Sequence, residues 1–305
     1  MFKRMRQRPK LWALLLLTVI AAAATLRYLH WDDRLLFFLQ EYSTSAQQQD
    51  DSIWLPGYRA VIQAKPLEGL AESETSGLSW SPLSNTLFTV TGRLPKLVEL
   101  SLQGDVLRVV ELRGFSDPEG VEVLSDGRIA IIDERRAQMT VFRLAPDARF
   151  IDATTLPSIN LGDTRAHNKG FEGVAWDARN QRMLLAKERS PFGLFSLPFP
   201  DQDEGEGDSI APQTLLELRS KQVFMRDLSS LAVDQRTGHL LVLSDESRML
   251  LELDTQGNPV SFISLAVGFN GLIRSIKQAE GVAMDGAGVI YMVSEPNLFY
   301  VFKKQ

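Results

Sequence analysis

Five stretches of the chain repeat one another, and no other feature limits the fold as tightly. They are SGLSWSPLSNTLFTVTGRLPKLVEL from Ser76, EGVEVLSDGRIAIIDERRAQMTVFRL from Glu119, EGVAWDARNQRMLLAKERSPFGLFSL from Glu172, SSLAVDQRTGHLLVLSDESRMLLEL from Ser229 and EGVAMDGAGVIYMVSEPNLFYVFK from Glu280. Each opens with a short strand that begins with Glu or Ser and usually continues with Gly. A turn rich in Asp, Asn, Gly and Ser follows, as in SDGR, DARNQ, DQRTG and DGAG. Then comes a nearly continuous apolar run (TLFTV, RIAII, RMLLA, LLVLS, IYMVS), the mark of a strand buried on both faces. A charged turn and a third strand come next. A fourth strand is visible after most repeats, for example VLRVVEL (106–112) and VSFISLA (260–266).

Four antiparallel strands recurring every 43 to 57 residues are the blades of a β-propeller. The expected fold is all-β, with five blades by repeat count. A sixth stays open if the spacing 172–229 or 229–280 hides a degenerate blade. The fifth repeat stops after its third strand. Tyr58–Lys65 (YRAVIQAK) occupies a fourth-strand slot ahead of the first repeat, so an N-terminal strand is expected to close the ring.

Ahead of the repeats, Lys3, Arg4, Arg6, Arg8 and Lys10 precede an apolar run, LWALLLLTVIAAAATL, from Leu11 to Leu26. The run lies between a signal-peptide core and a full membrane span of about 20 residues. Tyr28, Leu29 and Trp31 extend it with residues suited to the membrane interface, and the basic cluster keeps the start of the chain cytoplasmic. An A-x-A pattern at Ala22–Ala24 offers cleavage. Retention is the favoured reading, because WDDRLLFF (31–38) continues without a polar cleavage region. The expected organisation is a basic cytoplasmic segment (1–10), a transmembrane signal anchor (11–29), a juxtamembrane linker (30–55) and the propeller (56–305). The expected location is the inner membrane, crossed once, with the propeller in the periplasm.

Composition fits an exported globular domain. The chain has 305 residues, 44% hydrophobic and 23% charged, and no cysteine. Disulfides, thiolate metal sites and a cysteine nucleophile are therefore excluded. The net charge of −5 becomes −10 without the first ten residues. An acidic domain argues against a nucleic-acid partner, which requires a positive footprint.

Four stretches carry a family resemblance: SGLSWSPLSNTLFTV, KGFEGVAW, LLVLSDESRMLLEL and IKQAEGVAMDGAGVIYMVSEPNLFYVF. Over residues 56–303 the chain resembles the SdiA-regulated family of membrane-anchored bacterial propellers, whose biochemistry is unassigned. The resemblance implies the fold and the location and is silent on mechanism.

In a blade, the start of the first strand and the end of the second lie on one face of the disc. Both places carry acids. Glu119, Glu172 and Glu280 begin first strands, with Ser76 and Ser229 in the equivalent slots, and are expected at the mouth of the channel. Converging carboxylates repel unless something compensates. A hard cation with oxygen ligands does so, and calcium fits best; a structural role in ion pairs and turn hydrogen bonds is the equal alternative for these three acids. Gluconolactonase-type and phytase-type propellers resemble this arrangement, an analogy of fold alone. The second acid set, Glu134, Glu188, Glu246 and Glu295, is expected to be structural, neutralised by Arg135, Arg136, Lys187, Arg189 and Arg248. Ser76 and Ser229, in their first-strand slots, and His167, Lys169, Arg226, Arg274 and Lys277, in loops on the same face, could contact a ligand. DQDEGEGD (201–208) reads as a solvated loop, lacking the spacing of a calcium loop. The glycine after each first-strand acid is expected to serve close blade packing.

No serine-hydrolase elbow, phosphate loop or dinucleotide fingerprint is present. The favoured function is a periplasmic binding or interaction module for a small molecule or an envelope protein, with calcium at the channel. The alternatives are a metal-dependent hydrolase of phosphoesters or lactones on that face and an envelope scaffold.

Overall fold

A computed structural model describes residues 9–28, 35, 37–39, 41–42, 44–162, 170–188, 193–199, 213–216 and 225–305. The chain forms two compact units, Met1–Ser45 and Ala46–Gln305. In the first, helix α1 (Pro9–Tyr28) carries the apolar run. Pro9–Leu26 is long and apolar enough to cross a membrane, and a signal sequence would satisfy the same criterion.

The second unit is a five-bladed propeller. Blade 1 is β2 (Thr75–Ser81), β3 (Thr86–Thr91), β4 (Lys96–Leu100) and β5 (Val106–Arg113). Blade 2 is β6 (Pro118–Val123), β7 (Arg128–Asp133), β8 (Gln138–Arg143) and β10 (Ser158–Asn160). Blade 3 is β11 (Phe171–Asp177), β12 (Arg182–Lys187), β13 (Gly193–Pro198) and β14 (Gln213–Leu216). Blade 4 is β15 (Ser230–Val233), β16 (Leu240–Ser244), β17 (Met249–Leu253) and β18 (Pro259–Ser264). Blade 5 is β19 (Ala279–Met284), β20 (Ile290–Ser294), β21 (Leu298–Lys304) and, antiparallel to β21, the closing strand β1 (Tyr58–Pro66). The inner strands β2, β6, β11, β15 and β19 pack in succession, and β19 returns to β2. Blades 3, 4 and 5 are thus direct neighbours, and among the described residues the longer spacings hold no sixth blade. One strand was not foreseen: β9 (Phe150–Asp152) runs parallel to β5 and widens blade 1.

The apolar runs become the second strands. β7, β16 and β20 are buried along their whole length because each is sandwiched between neighbouring blades. The core consists of wedges between blades. Phe88, Val90 and Val110 of blade 1 meet Val121, Ile129 and Ile131 of blade 2. Leu241, Leu243 and Leu250 of blade 4 meet Val282, Ile290 and Met292 of blade 5. The first turns are closed by their own acids. Asp285 Oδ1 accepts from the N–H groups of Ala287 and Val289, and Asp126 Oδ1 from that of Arg128, as expected of Asx turns.

The expected linker, 30–55, needs correction at its end. Ile53 and Leu55 are 0% exposed and belong to the core wedge of blades 4 and 5. The physical reason is their apolar side chains together with a set of buried hydrogen-bond partners. Ile53 N–H and Trp54 N–H donate to the two oxygens of Glu252, and Leu55 N–H donates to Ser261 Oγ. All five blades, the closing strand and this strap lie within Ala46–Gln305, so that unit carries its own core.

Candidate functional site

The inner strands begin at one mouth of the channel, and there the acids gather. Glu119, Glu172 and Glu280 sit at the starts of β6, β11 and β19, each partly buried. The glycine that follows has no room for a side chain. A Cβ on Gly120 would stand 2.5 Å from Glu172 O, and one on Gly77 2.6 Å from Glu119 O. The equivalent serines are staples. Ser76 Oγ donates to Glu119 O at 2.9 Å, and Ser229 Oγ donates to Ala279 O at 2.8 Å. Each therefore fixes the backbone of the next blade.

The tightest convergence is within blade 2. Ligand oxygens of Asp117, Glu119 and Glu134 all lie within 4.8 Å of one another. Buried Asp133 sets this up. Its carboxylate accepts from the N–H groups of Ser116 (2.6 Å), Asp117 (3.3 Å) and Arg136 (3.2 Å), tying the entry to β6 to the turn after β7. Glu134 N–H donates to Asp117 O at 2.9 Å, and Glu134 Oε1 accepts from Gly170 N–H at 2.8 Å. Gly92 faces the group with backbone only, since a Cβ there would lie 3.4 Å from both Asp117 Oδ1 and Glu119 Oε1.

Electrostatics extends the cluster around the channel. Burial, opposed by the Ser76 hydrogen bond, and the charges of Asp117, Glu134 and Glu295 push Glu119 up to about 8. Burial and the charges of Asp245, Glu119, Glu295 and Asp227 push Glu280 up to about 9. Glu172 is held well above the carboxylate range by burial and then by Glu188, Glu280, Glu119 and Glu134. Glu134 is raised by burial against its Gly170 bond, with Asp117 and Glu188 adding to the rise. Arg135 offsets part of this charge through a 2.9 Å ion pair with Asp117.

Of the three glutamates expected to share a metal, only Glu119 belongs to the 4.8 Å group. Glu172 and Glu280 join through charge. Glu134, expected to be structural, is in the group. Among the described ion pairs, two of the five bases expected to neutralise the second acid set engage other acids: Arg135 pairs with Asp117, and Arg136 lies 3.8 Å from Asp133. Glu295 accepts from Gln278 Nε2 at 2.6 Å. Glu188 N–H donates to Gly170 O, and Glu246 N–H donates to Asp227. Arg226 is partly buried, its N–H on Ser247 Oγ, while Arg274 and Lys277 are exposed. His167, Lys169, Arg189 and 201–208 lie outside the described residues.

Two acids were missed in the sequence, Asp117 and Asp227, each two residues before a first-strand slot. Asp227 accepts from the Ser244 hydroxyl and from the N–H groups of Asp245 and Glu246 (3.2 Å each), and burial pushes it up to about 6. It closes blade 4 where Asp117 opens a site in blade 2. Aligning the repeats two residues earlier would have exposed both.

The sequence pattern of one family spans this whole unit: the SdiA-regulated model matches residues 50–303. The chain belongs to the SdiA-regulated family. Solved structures similar to this SdiA-regulated protein include the calcium-binding protein regucalcin from Agrobacterium tumefaciens, at 12% identity, 79% of this chain, 93% of that chain and a TM-score of 0.48. A gluconolactonase from Xanthomonas campestris matches at 16% identity, 80% and 96% coverage and a TM-score of 0.44. A protein of unknown function from Bacteroides thetaiotaomicron matches at 14%, covering 77% of this chain and 56% of that one, with a TM-score of 0.49. At such identities these likenesses say nothing about chemistry.

Proposed function

We propose that this SdiA-regulated propeller is a periplasmic binding module, anchored in the inner membrane by α1, that holds a calcium ion at its acid mouth. Asp117, Glu119 and Glu134 are the ligands. Glu172 and Glu280 complete a carboxyl-lined rim that meets a small molecule or an envelope protein through the ion. The observation that carries the reading is the convergence of three carboxylates within 4.8 Å, in surroundings that raise Glu119 and Glu134 together. Such groups hold either protons or a cation, and an all-oxygen donor set suits a hard divalent ion.

Metal analysis of the purified protein, wild type and Glu119→Gln, is the test. About one calcium per chain, lost in the variant, is expected. Metal-free wild-type protein from calcium-containing buffer would sink the reading. Turnover of phosphoesters or lactones by the calcium-loaded protein would replace it with the hydrolase alternative.

A further inference from the structure

The opposite mouth of the channel has its own chemistry. A cavity of ≈ 520 Å³ opens there among the first turns of the blades, a size typical of small-molecule sites. Its wall includes the fourth position of the first-strand pattern. That slot is Ser79 in blade 1, Glu122 in blade 2, Ala175 in blade 3, Ala232 in blade 4 and Ala283 in blade 5. Small residues suit a place where five strands converge. Only blade 2 puts a carboxylate in it.

Structure alone gives no need for that carboxylate. Glu122 Oε1 accepts from Trp176 N–H of blade 3 at 3.0 Å. One blade earlier, Ser79 Oγ accepts from the corresponding N–H, that of Val123, also at 3.0 Å. A hydroxyl therefore performs the same staple without a charge. The charge at 122 is costly as well, since burial pushes Glu122 up to about 7, against the bonds from Trp176 and Ser79.

The rest of the cavity selects the partner. Trp80, Met284 and Ala232 give it apolar wall. Asp234 and Asp285 also line it, but each closes its own turn, on the N–H groups of Arg236 and Thr237 and on those of Ala287 and Val289. Arg236, the cationic lining residue, lies 3.5 Å from Asp234. Three acids against one base leave the cavity negative, with Glu122 the acid that faces it without a turn to close.

We infer that this mouth is a second binding site, for a small organic cation with an apolar body, its ammonium group seated on Glu122. A carboxylate beside an aromatic and aliphatic wall is the donor set such a molecule requires. The site is independent of the calcium reading, because the two mouths share no residue.

The test is calorimetric titration of residues 46–305 with phenethylammonium and with phenethyl alcohol, its uncharged counterpart. The ammonium is expected to bind and the alcohol to bind at least tenfold more weakly. Glu122→Gln should weaken the ammonium at least tenfold. Glu122→Ser, which copies the staple of Ser79, should do the same while keeping the unfolding midpoint, so loss of binding is separated from loss of fold. Calcium should not compete. Equal binding of the two probes, unchanged binding in Glu122→Ser, or no ammonium binding at millimolar concentration would overturn the inference.

Discussion

The Glu252 carboxylate accepts the backbone N–H of Ile53 at 2.8 Å across 199 residues of sequence. Glu252 is 0% exposed, and its remaining capacity is filled by Trp54 N–H, by Ser261 Oγ and by His239 Nδ1 at 2.6 Å. Consecutive N–H groups pointed at one carboxylate form a small anion-binding nest. This strap leads directly into the strand that closes the ring.

Glu252→Ala would leave these donors buried without an acceptor. The expected loss is about 3–5 kcal/mol of unfolding free energy, read from the urea midpoint of the propeller unit. A loss below about 1 kcal/mol would mean that the strap does not hold the closure.

Blade spacing rests on the glycines of the first strands. Gly120→Ala places a Cβ 2.5 Å from Glu172 O and 3.0 Å from Val174 Cγ1, so two blades must separate. A cost of about 3 kcal/mol is expected. Gly57→Ala, whose Cβ meets nothing closer than Lys304 Cγ at 3.4 Å, should change the same midpoint by less than about 1 kcal/mol.

The acid mouth makes stability depend on pH in a defined direction. Glu119 and Glu280 titrate near 8 and 9 when folded, against 4.5 as the reference value. Between those limits the folded state holds protons that the unfolded chain has released, so stability falls as pH rises from about 5 to 9. The urea midpoint of the calcium-free protein should fall progressively across that window. Saturating calcium, which replaces the protons, should flatten the profile. A calcium-free midpoint that rises with pH would contradict this.

Much of this fold was legible because propeller repeats write their grammar into the sequence. The runs from TLFTV to IYMVS had to be double-buried strands, and YRAVIQAK had to complete the last blade, since no other segment fills that slot. The strap was not legible. Ile53 and Leu55 follow a polar stretch, and Glu252, which accepts the N–H groups of Ile53 and Trp54, lies in a third strand where a glutamate reads as exposed. Strand β9 was also hidden, because three residues carry no periodicity. At the site, the acids of the repeated slots were found and Asp117 was not. It precedes the slot, and its approach to Glu134 depends on Asp133 folding the turn back, a contact without a sequence signature.

Calcium titration of residues 46–305 by calorimetry tests the central claim most directly. One site per chain is expected in the wild type. Affinity should fall at least tenfold in Asp117→Asn, Glu119→Gln and Glu134→Gln and be retained in Glu122→Gln at the other mouth. Absence of binding, or affinity unchanged by all three acid-mouth substitutions, would contradict the account.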